Sequence, residues 1–420
     1  MKWGKKRMTS LPVVVGHPLA PIGRGEDTRS ALRCLLRVGL SAAVYDVSPP
    51  APRFYGDLDL ISEFKDHFVG SLSSNLNIFF LNGDEIADIL NRIDGILPVT
   101  AYNVIYPQWE LERYPPEWSE QINRFDEVWA PSLFVARGLK QATRKSVLHM
   151  PLSVETGFSS SLGRRYFCLP ESTYLILFSF DLRSYIDRKN PLAVVDAFER
   201  LACARSGNDI RLVIKLQGRD HSIQSGIALK QFMKRVENSI AREKIIVIDS
   251  VFTDNEIKNL IRCCDCFVSL HRSEGFGRGM AEAMLLGKPV VATGYSGNLE
   301  FMNDSNSCLV RYKMVEVEKG SYPFGDNQVW AEPDIDHAVS LMVMLVDNRD
   351  YGRALGSVAS RHIRTHFSAR AIGLRYHRRI QEILHGGNAL ERSGATSRAQ
   401  HNNQSLNIGT TSDEGNQFLK

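Results

Sequence analysis

Ser273-Glu274-Gly275-Phe276-Gly277-Arg278-Gly279-Met280-Ala281-Glu282-Ala283-Met284 sets one carboxylate, Glu274, on a glycine-rich turn and a second, Glu282, eight positions later in the helix that should follow. Glycines at 275, 277 and 279 permit backbone conformations and close approaches that other residues resist. The first turn of a helix exposes unpaired N–H groups, which suit a phosphate. Carboxylates beside such a site do not bind the phosphate, because like charges repel. They accept hydrogen bonds from hydroxyl groups. The stretch therefore reads as a site for phosphate flanked by polyols, which describes a nucleotide-sugar.

On either side of this stretch lie short apolar runs that read as strands, at 266–270 and 289–292. Further strands are predicted upstream at 174–180, 211–215 and 245–249, with helices at 191–204, 227–242, 254–263 and 278–286. Val- and Ile-rich strands alternating with helices indicate a parallel sheet covered on both faces. The N-terminal half repeats the pattern. A strand at 11–15 leads into a loop over 16–27 that holds Gly23 and Gly25, then a helix from Thr28 and a strand at 42–46. More strands are expected at 77–81, 103–106 and 127–130, and a helix at 84–92. The fold class is α/β: two doubly wound, Rossmann-like domains facing across a cleft. Residues 9–155 form the first, 170–358 the second, and 359–384 a C-terminal helix packing back toward the first. The Gly-, Ser-, Asn- and Gln-rich stretch 385–420 reads as a disordered tail.

Composition narrows the class. The 420 residues are 43% hydrophobic and 23% charged, ordinary values for a globular protein. A net charge of +4 does not argue for nucleic acid. No apolar run approaches a membrane span, and no signal-type apolar segment follows the basic start Met1–Arg7. Those basic residues would support at most weak attraction to an anionic membrane surface. Seven cysteines, an odd number, suggest reduced thiols and a cytoplasmic setting. Cys263, Cys264 and Cys266 are spaced too tightly for a zinc site and read as buried thiols.

Three segments together resemble the retaining nucleotide-sugar glycosyltransferases of GT-B fold, family GT4. The first runs from Glu274 to Glu282 and continues through Gly287-Lys288-Pro289-Val290-Val291-Ala292-Thr293. The second is Arg183-Ser184-Tyr185-Ile186-Asp187-Arg188-Lys189, with an Arg and a Lys six positions apart. The third is Asp126-Glu127-Val128-Trp129-Ala130-Pro131-Ser132. The loop Tyr295-Ser296-Gly297-Asn298-Leu299-Glu300 is similar to that of bacterial polysaccharide and O-antigen mannosyltransferases. The resemblance spans 11–384. Arg278-Gly279 departs from it, replacing an apolar pair, which would either alter the helix start or add a cation near the donor.

The resemblance implies transfer of a sugar, mannose carried as GDP-mannose being the specific reading, to a hydroxyl of a glycan or lipid-linked glycan in polysaccharide biosynthesis. The configuration would be retained and no metal cofactor used. Arg183 and Lys189 would hold the donor diphosphate, where fixed cations stabilise charge developing on the leaving group. Glu282 would accept from ribose hydroxyls and Glu274 from the transferred sugar. Backbone amides at Gly275, Phe276 and Gly277 would meet the sugar or phosphate. Gly23 and Gly25 would let the first domain close on the diphosphate; Asn298 and Lys215 would face the donor. Acceptor contacts would come from Trp109, Glu110 and His17, although Trp109 fits a core position and Glu110 a surface one equally well. Alone, the Arg–Lys pair also fits a solvated face. A non-catalytic sugar-nucleotide-binding protein of a polysaccharide assembly, or a GT-B nucleotide-sugar epimerase, are the alternatives. A dinucleotide oxidoreductase is disfavoured, since Gly23-Arg24-Gly25 lacks the third glycine of that fingerprint.

Overall fold

The computed structural model of the chain describes residues 9–48, 58–93, 97, 98, 100–207, 209–219 and 222–402. The basic start of the chain and residues 403–420 of the expected tail lie outside the described residues. Met1–Tyr376 forms one compact unit and His377–Lys420 a second. The first unit contains two lobes, each built on a six-stranded parallel sheet.

The first lobe carries β1 (Val13–Gly16), β2 (Ala43–Asp46), β3 (Leu76–Phe79), β4 (Tyr102–Ile105), β5 (Glu127–Ala130) and β6 (Ser146–His149). Their order is β2-β1-β3-β4-β5-β6. The second carries β7 (Tyr174–Asp181), β8 (Ile210–Gln217), β9 (Ile245–Asp249), β10 (Cys266–Ser269), β11 (Val290–Thr293) and β12 (Cys308–Val310), in the order β12-β11-β10-β7-β8-β9. Every one of these pairings is parallel. The central strands are largely apolar because helices cover both faces, and the buried Asn77 and Asn103 hydrogen-bond to each other across β3 and β4. Val13, Val14 and Val15 are fully buried, as are Val290 and Val291. In such sheets ligands bind beyond the carboxyl ends of the strands, where the strand order reverses. The reversal lies between β1 and β3 in the first lobe and between β7 and β10 in the second.

The helices that frame these points are α1 (Gly23–Arg37), α6 (Ile186–Lys189), α7 (Pro191–Ala204), α9 (Asp254–Cys263) and α10 (Arg278–Leu285), after α2 (Leu58–Phe64), α3 (Ile86–Arg92), α4 (Pro116–Ile122) and α5 (Leu133–Ala142), with α8 (Ile223–Glu237) between. Local chemistry sets several starts. Pro191 opens α7 where its missing N–H costs nothing. Thr253 and Glu256 form a reciprocal capping box at α9. α1 begins at Gly23, five residues before the expected Thr28. The glycines therefore form its first turn rather than a loose loop, and Gly25 packs against the carbonyls of His17 and Ala20, where a Cβ would not fit.

An antiparallel ribbon, β13 (Tyr312–Glu316) with β14 (Val329–Pro333), leaves the second lobe and was not foreseen. Its first strand is exposed almost throughout and has no apolar face to read. Beyond it, Val317, Tyr322, Trp330 and Ala331 enter the core of the first lobe beside Trp109, Leu111 and Tyr114. Gln328 Oε1 accepts from the Arg113 backbone at 2.9 Å. β6 was also missed, being four residues long with polar ends.

Two further helices, α11 (Ile335–Asp347) and α12 (Arg349–His366), precede α13 (Ala369–Asn402). The single helix expected over 359–384 is thus two, broken at Phe367-Ser368. Phe367 is buried and its carbonyl accepts from Val154 N at 2.8 Å. The Ser368 hydroxyl then accepts from Ala371 N, starting the new helix. As far as Tyr376, α13 packs on the first lobe. Gly373 sits on the Cys34 carbonyl of α1, and the Tyr376 ring lies 4.9 Å from that of Trp129. The helix runs on to Asn402, past the expected end at 384. All seven cysteines are free thiols. Among the described residues no helix is long and apolar enough to cross a membrane.

Candidate active site

The reversal point of the second lobe is bordered by the loops after β7 and β10. After β7, the Asp181 carboxylate accepts from Arg183 N at 2.9 Å and caps a 3-10 turn over Leu182–Ser184. Tyr185 follows at φ 60°, then the single turn of α6, then Asn190 in the left-handed region before Pro191. Asn tolerates that region better than most residues. This compact course aims Arg188 and Lys189 at the loop after β10.

There they meet Glu274. Its Oε1 lies 2.5 Å from Lys189 Nζ and 3.1 Å from Arg188 Nη1. Burial alone would raise the Glu274 pKa, but the two cations overcome it and bring it to about 2. Burial works against the Lys189 ammonium, whose pKa is lowered, and Glu274 only partly offsets this. The loop itself is clamped. Glu274 N donates to Ser296 Oγ at 2.8 Å, Gly297 N donates to the Glu274 carbonyl at 2.8 Å, and Arg188 Nη1 donates to the Ser273 carbonyl at 2.8 Å. A Cβ at Gly297 would overlap the Gly275 carbonyl. That carbonyl also accepts from Ser132 Oγ of the first lobe at 2.6 Å. Gly277 enters α10 at φ 93°, and among the described residues no side chain caps the helix. The α10 N-terminus follows this loop without a side-chain cap, with its polarity suited to an anion.

The structure redistributes the expected roles. Arg183 does not join Lys189; its Nη2 lies 2.5 Å from Asp181 Oδ2. The cation beside Lys189 is Arg188, which spacing alone could not select because 188 and 189 are both basic. Arg183 belongs to a second group at the ends of β7 and β8. The register pairs Asp181 with Gln217, so Gln217 Nε2 donates to Asp181 Oδ2 at 2.9 Å. Lys215 Nζ donates to Gln217 Oε1 at 2.6 Å, and burial pulls its pKa down to about 8. Gln217 Nε2 also reaches the Pro21 carbonyl of the first lobe at 3.4 Å.

Several expected ligand contacts are structural. The Phe276 ring is buried against Phe301 and Phe367, leaving only its backbone for a ligand. Asn298 is fully buried; its Nδ2 donates to the Thr293 carbonyl and its Oδ1 faces His271 Nε2 at 3.1 Å. Trp109 is a core residue whose indole N–H donates to the Arg113 carbonyl at 2.9 Å, among the rings of Tyr114, Trp118 and Tyr322. Glu110 is brought to the site. It accepts from the Tyr322 hydroxyl at 2.5 Å and lies 3.7 Å from Arg188. His17 forms its own cluster at the first lobe's reversal point, 3.0 Å from Glu85, which Arg24 also meets at 2.5 Å. Gly23 has open space around it, whereas Gly25 is tightly packed.

Glu282 lies in a buried interlobe set of charges with Lys258, Arg278 and Glu26. Burial, only partly opposed by Lys258 and Arg278, pushes its pKa up to about 7. A cavity of about 660 Å³, lined by Arg33, Glu63, Phe158, Asp254 and Lys258 among others, shares Lys258 with this set. Arg278 pairs with Asp27 of α1 at 2.6 Å and donates to the Ser153 carbonyl at 3.0 Å. The departure at 278 thus supplies a bridge between the lobes.

The Glu282 environment has a measurable consequence. A carboxyl whose pKa rises on folding binds more protons in the native state, so stability falls as pH climbs from about 4.5 through about 7. Glu282→Gln should therefore raise Tm above that of the unsubstituted protein at pH 8, and the gap should close by pH 4.5. A gap that is constant across this range in melting curves would contradict the assignment.

Residues 169–313 match the family described as glycosyl transferases group 1, and that segment holds β7 to β12 with the whole Glu274–Lys189–Arg188 site. The chain is a glycosyltransferase. Solved structures share its fold. HepE of Anabaena, solved in complex with UDP and glucose, has a TM-score of 0.61 at 13% identity over 89% of this chain and 100% of its own. The sucrose-phosphate synthase of Thermosynechococcus elongatus has a TM-score of 0.66 at 12% identity, over 90% of this chain and 100% of its own. A glycosyltransferase of Rickettsia africae has 0.58 at 16%, over 90% and 99%. At these identities the likeness is one of fold, and it extends to both lobes of the enzyme. No curated protein matches the enzyme in sequence.

Proposed function

We propose that the enzyme moves a glycosyl group from a nucleoside diphosphate sugar to a hydroxyl of a glycan or lipid-linked glycan, with retention and without a metal cofactor. The observation that carries this reading is the buried Glu274 held by Lys189 and Arg188 at the mouth of an uncapped α10. The cations and the helix N-terminus suit a diphosphate that gains charge as the glycosidic bond breaks. Glu274, with its pKa near 2, stays ionised at neutral pH. It is therefore suited to accepting from sugar hydroxyls and unsuited to acid catalysis. With Glu274 so held, the leaving phosphate oxygen is the group that takes the acceptor proton, on the same face that the acceptor attacks. Glu282, within α10, is the group for ribose hydroxyls. Arg183 and Lys215 supply further positive charge at the ends of β7 and β8.

The motif likeness to polysaccharide mannosyltransferases favours mannose, and so GDP-mannose as donor. The bound UDP in the HepE structure makes uridine donors the comparison to run beside it. A panel of UDP- and GDP-sugars at millimolar concentration should raise Tm for the true donor, since ligand at 100 times Kd stabilises by about 2.7 kcal/mol. Lack of a shift with every member of the panel would refute the reading. Product NMR then tests retention through the anomeric coupling.

A further inference from the structure

Tyr185 stands out among the residues around Lys189. It adopts φ 60° and ψ 107°, outside even the left-handed region that Asn190 uses five residues later. A side chain makes that conformation costly, whereas glycine would adopt it freely. Its backbone carbonyl accepts from Arg188 N and Lys189 N, a task any residue performs. The residue is 46% exposed, although Tyr322 beside it is buried. The strained residue therefore presents an aromatic side chain that is only partly covered by the fold.

The surroundings indicate what that surface meets. Tyr185 contacts Tyr322 edge-on, with centroids 4.9 Å apart. Tyr322 comes from the ribbon connection and donates its hydroxyl to Glu110 at 2.5 Å. Glu110, from the first lobe, lies 3.7 Å from Arg188, which holds Glu274. Asp84, beyond β3, is exposed, and its charge and that of Glu110 both act on the Tyr185 hydroxyl. After burial, these two carboxylates are the largest influences raising its pKa. An exposed ring bordered by carboxylates matches a pyranose, whose C–H face packs on an aromatic while its hydroxyls donate to acidic groups. The donor reading places the transferred sugar at Glu274. Glu110 comes from the first lobe and reaches Arg188, which also holds Glu274.

We propose that Tyr185, backed by Tyr322 and flanked by Glu110 and Asp84, is the platform on which the pyranose ring of a sugar acceptor rests. This rests on the nucleotide-sugar reading above. It keeps Glu110 of the three expected acceptor residues and adds a residue of the second lobe and one of the ribbon connection, in place of Trp109 and His17.

Saturation-transfer NMR on the full chain tests it. The probes are UDP and GDP, each with the methyl α-glycosides of glucose, galactose and mannose. The unsubstituted enzyme should show saturation of one nucleotide and of the ring protons of at least one glycoside. Tyr185→Gly should keep the nucleotide signal, lose at least fivefold of the glycoside signal, and melt at an equal or higher temperature because the backbone strain is relieved. Tyr185→Phe should keep both signals. A purely structural Tyr185 would instead lower Tm in Tyr185→Gly and leave the glycoside signal in place. That result overturns the proposal, as does the absence of any glycoside signal on an enzyme that does bind nucleotide. Absence of both nucleotide signals refutes the donor reading itself, and the acceptor platform with it.

Discussion

Lys189→Ala should lower kcat/KM by roughly 10²- to 10³-fold and leave Tm within a few degrees of the unsubstituted enzyme. Two separate features set these expectations. Lys189 and Arg188 share one carboxylate, so removing the lysine leaves Glu274 still paired with Arg188 at 3.1 Å. No buried charge is orphaned, and the clamps from Ser296 and Gly297 on the Glu274 backbone are untouched. The fold should therefore survive. Catalysis loses a fixed, largely desolvated cation aimed at the position where negative charge builds on the leaving diphosphate. Such preorganised charge acts in a site from which water is excluded, and solvent does not replace it. Arg188 does not compensate, because it is committed to the Ser273 carbonyl as well as to Glu274. Steady-state kinetics with the donor identified in the nucleotide-sugar panel measure the first effect and calorimetry the second. Turnover within threefold of the unsubstituted enzyme would remove Lys189 from the mechanism.

Arg278→Ala should destabilise the enzyme by about 3–5 kcal/mol, the usual cost of removing one partner from a buried ion pair. Asp27 and Arg278 are both largely buried and meet at 2.6 Å across the lobes. Burial already raises the Asp27 pKa even with Arg278 present. Without the guanidinium, Asp27's carboxylate keeps, among the described residues, the amide of Gln108 at 3.0 Å. Either it stays charged in an apolar setting or it takes up a proton, and both outcomes lower native stability at neutral pH. The Ser153 carbonyl loses its donor as well. The double variant Asp27→Asn, Arg278→Met should recover most of the loss, because it removes both charges and leaves neither unpaired. Urea titration of the two single variants and the double variant completes the cycle. Additive losses, with no recovery in the double variant, would show that the pair is not what joins the lobes here.

The fold was legible because most of its strands are buried on both faces. The run 127–130 is nearly continuous in apolar residues and appears as a fully buried strand at those same bounds; the edge strand 245–249, which is half-buried, also appears at its expected bounds. Helices 191–204 and 254–263 carry their own start signals, Pro191 and the Thr253–Glu256 box. The ribbon β13–β14 was hidden, because a strand exposed along most of its length shows no alternation. The break at Phe367 was hidden as well, because it depends on a carbonyl meeting Val154, more than 200 positions earlier.

At the site, chain-local chemistry was readable and partnership was not. Glycines at 275 and 277, a carboxylate on their turn, and an Arg–Lys segment after a strand are all properties of contiguous sequence. The apolar strand runs determined the two-lobed α/β architecture, and these local features the place of Glu274 and Lys189 on it. Only the tertiary structure decided that Arg188 rather than Arg183 stands beside Lys189, that Asn298 and Trp109 are core residues, and that Tyr185 is exposed in a strained turn. The physical reason is that an ion pair or a burial is a relation between segments, here 85 positions apart for Lys189 and Glu274. A backbone hydrogen-bond pattern repeats locally and is written in neighbouring residues. The pairing of charges depends on how two lobes close, and no single stretch of chain carries that information.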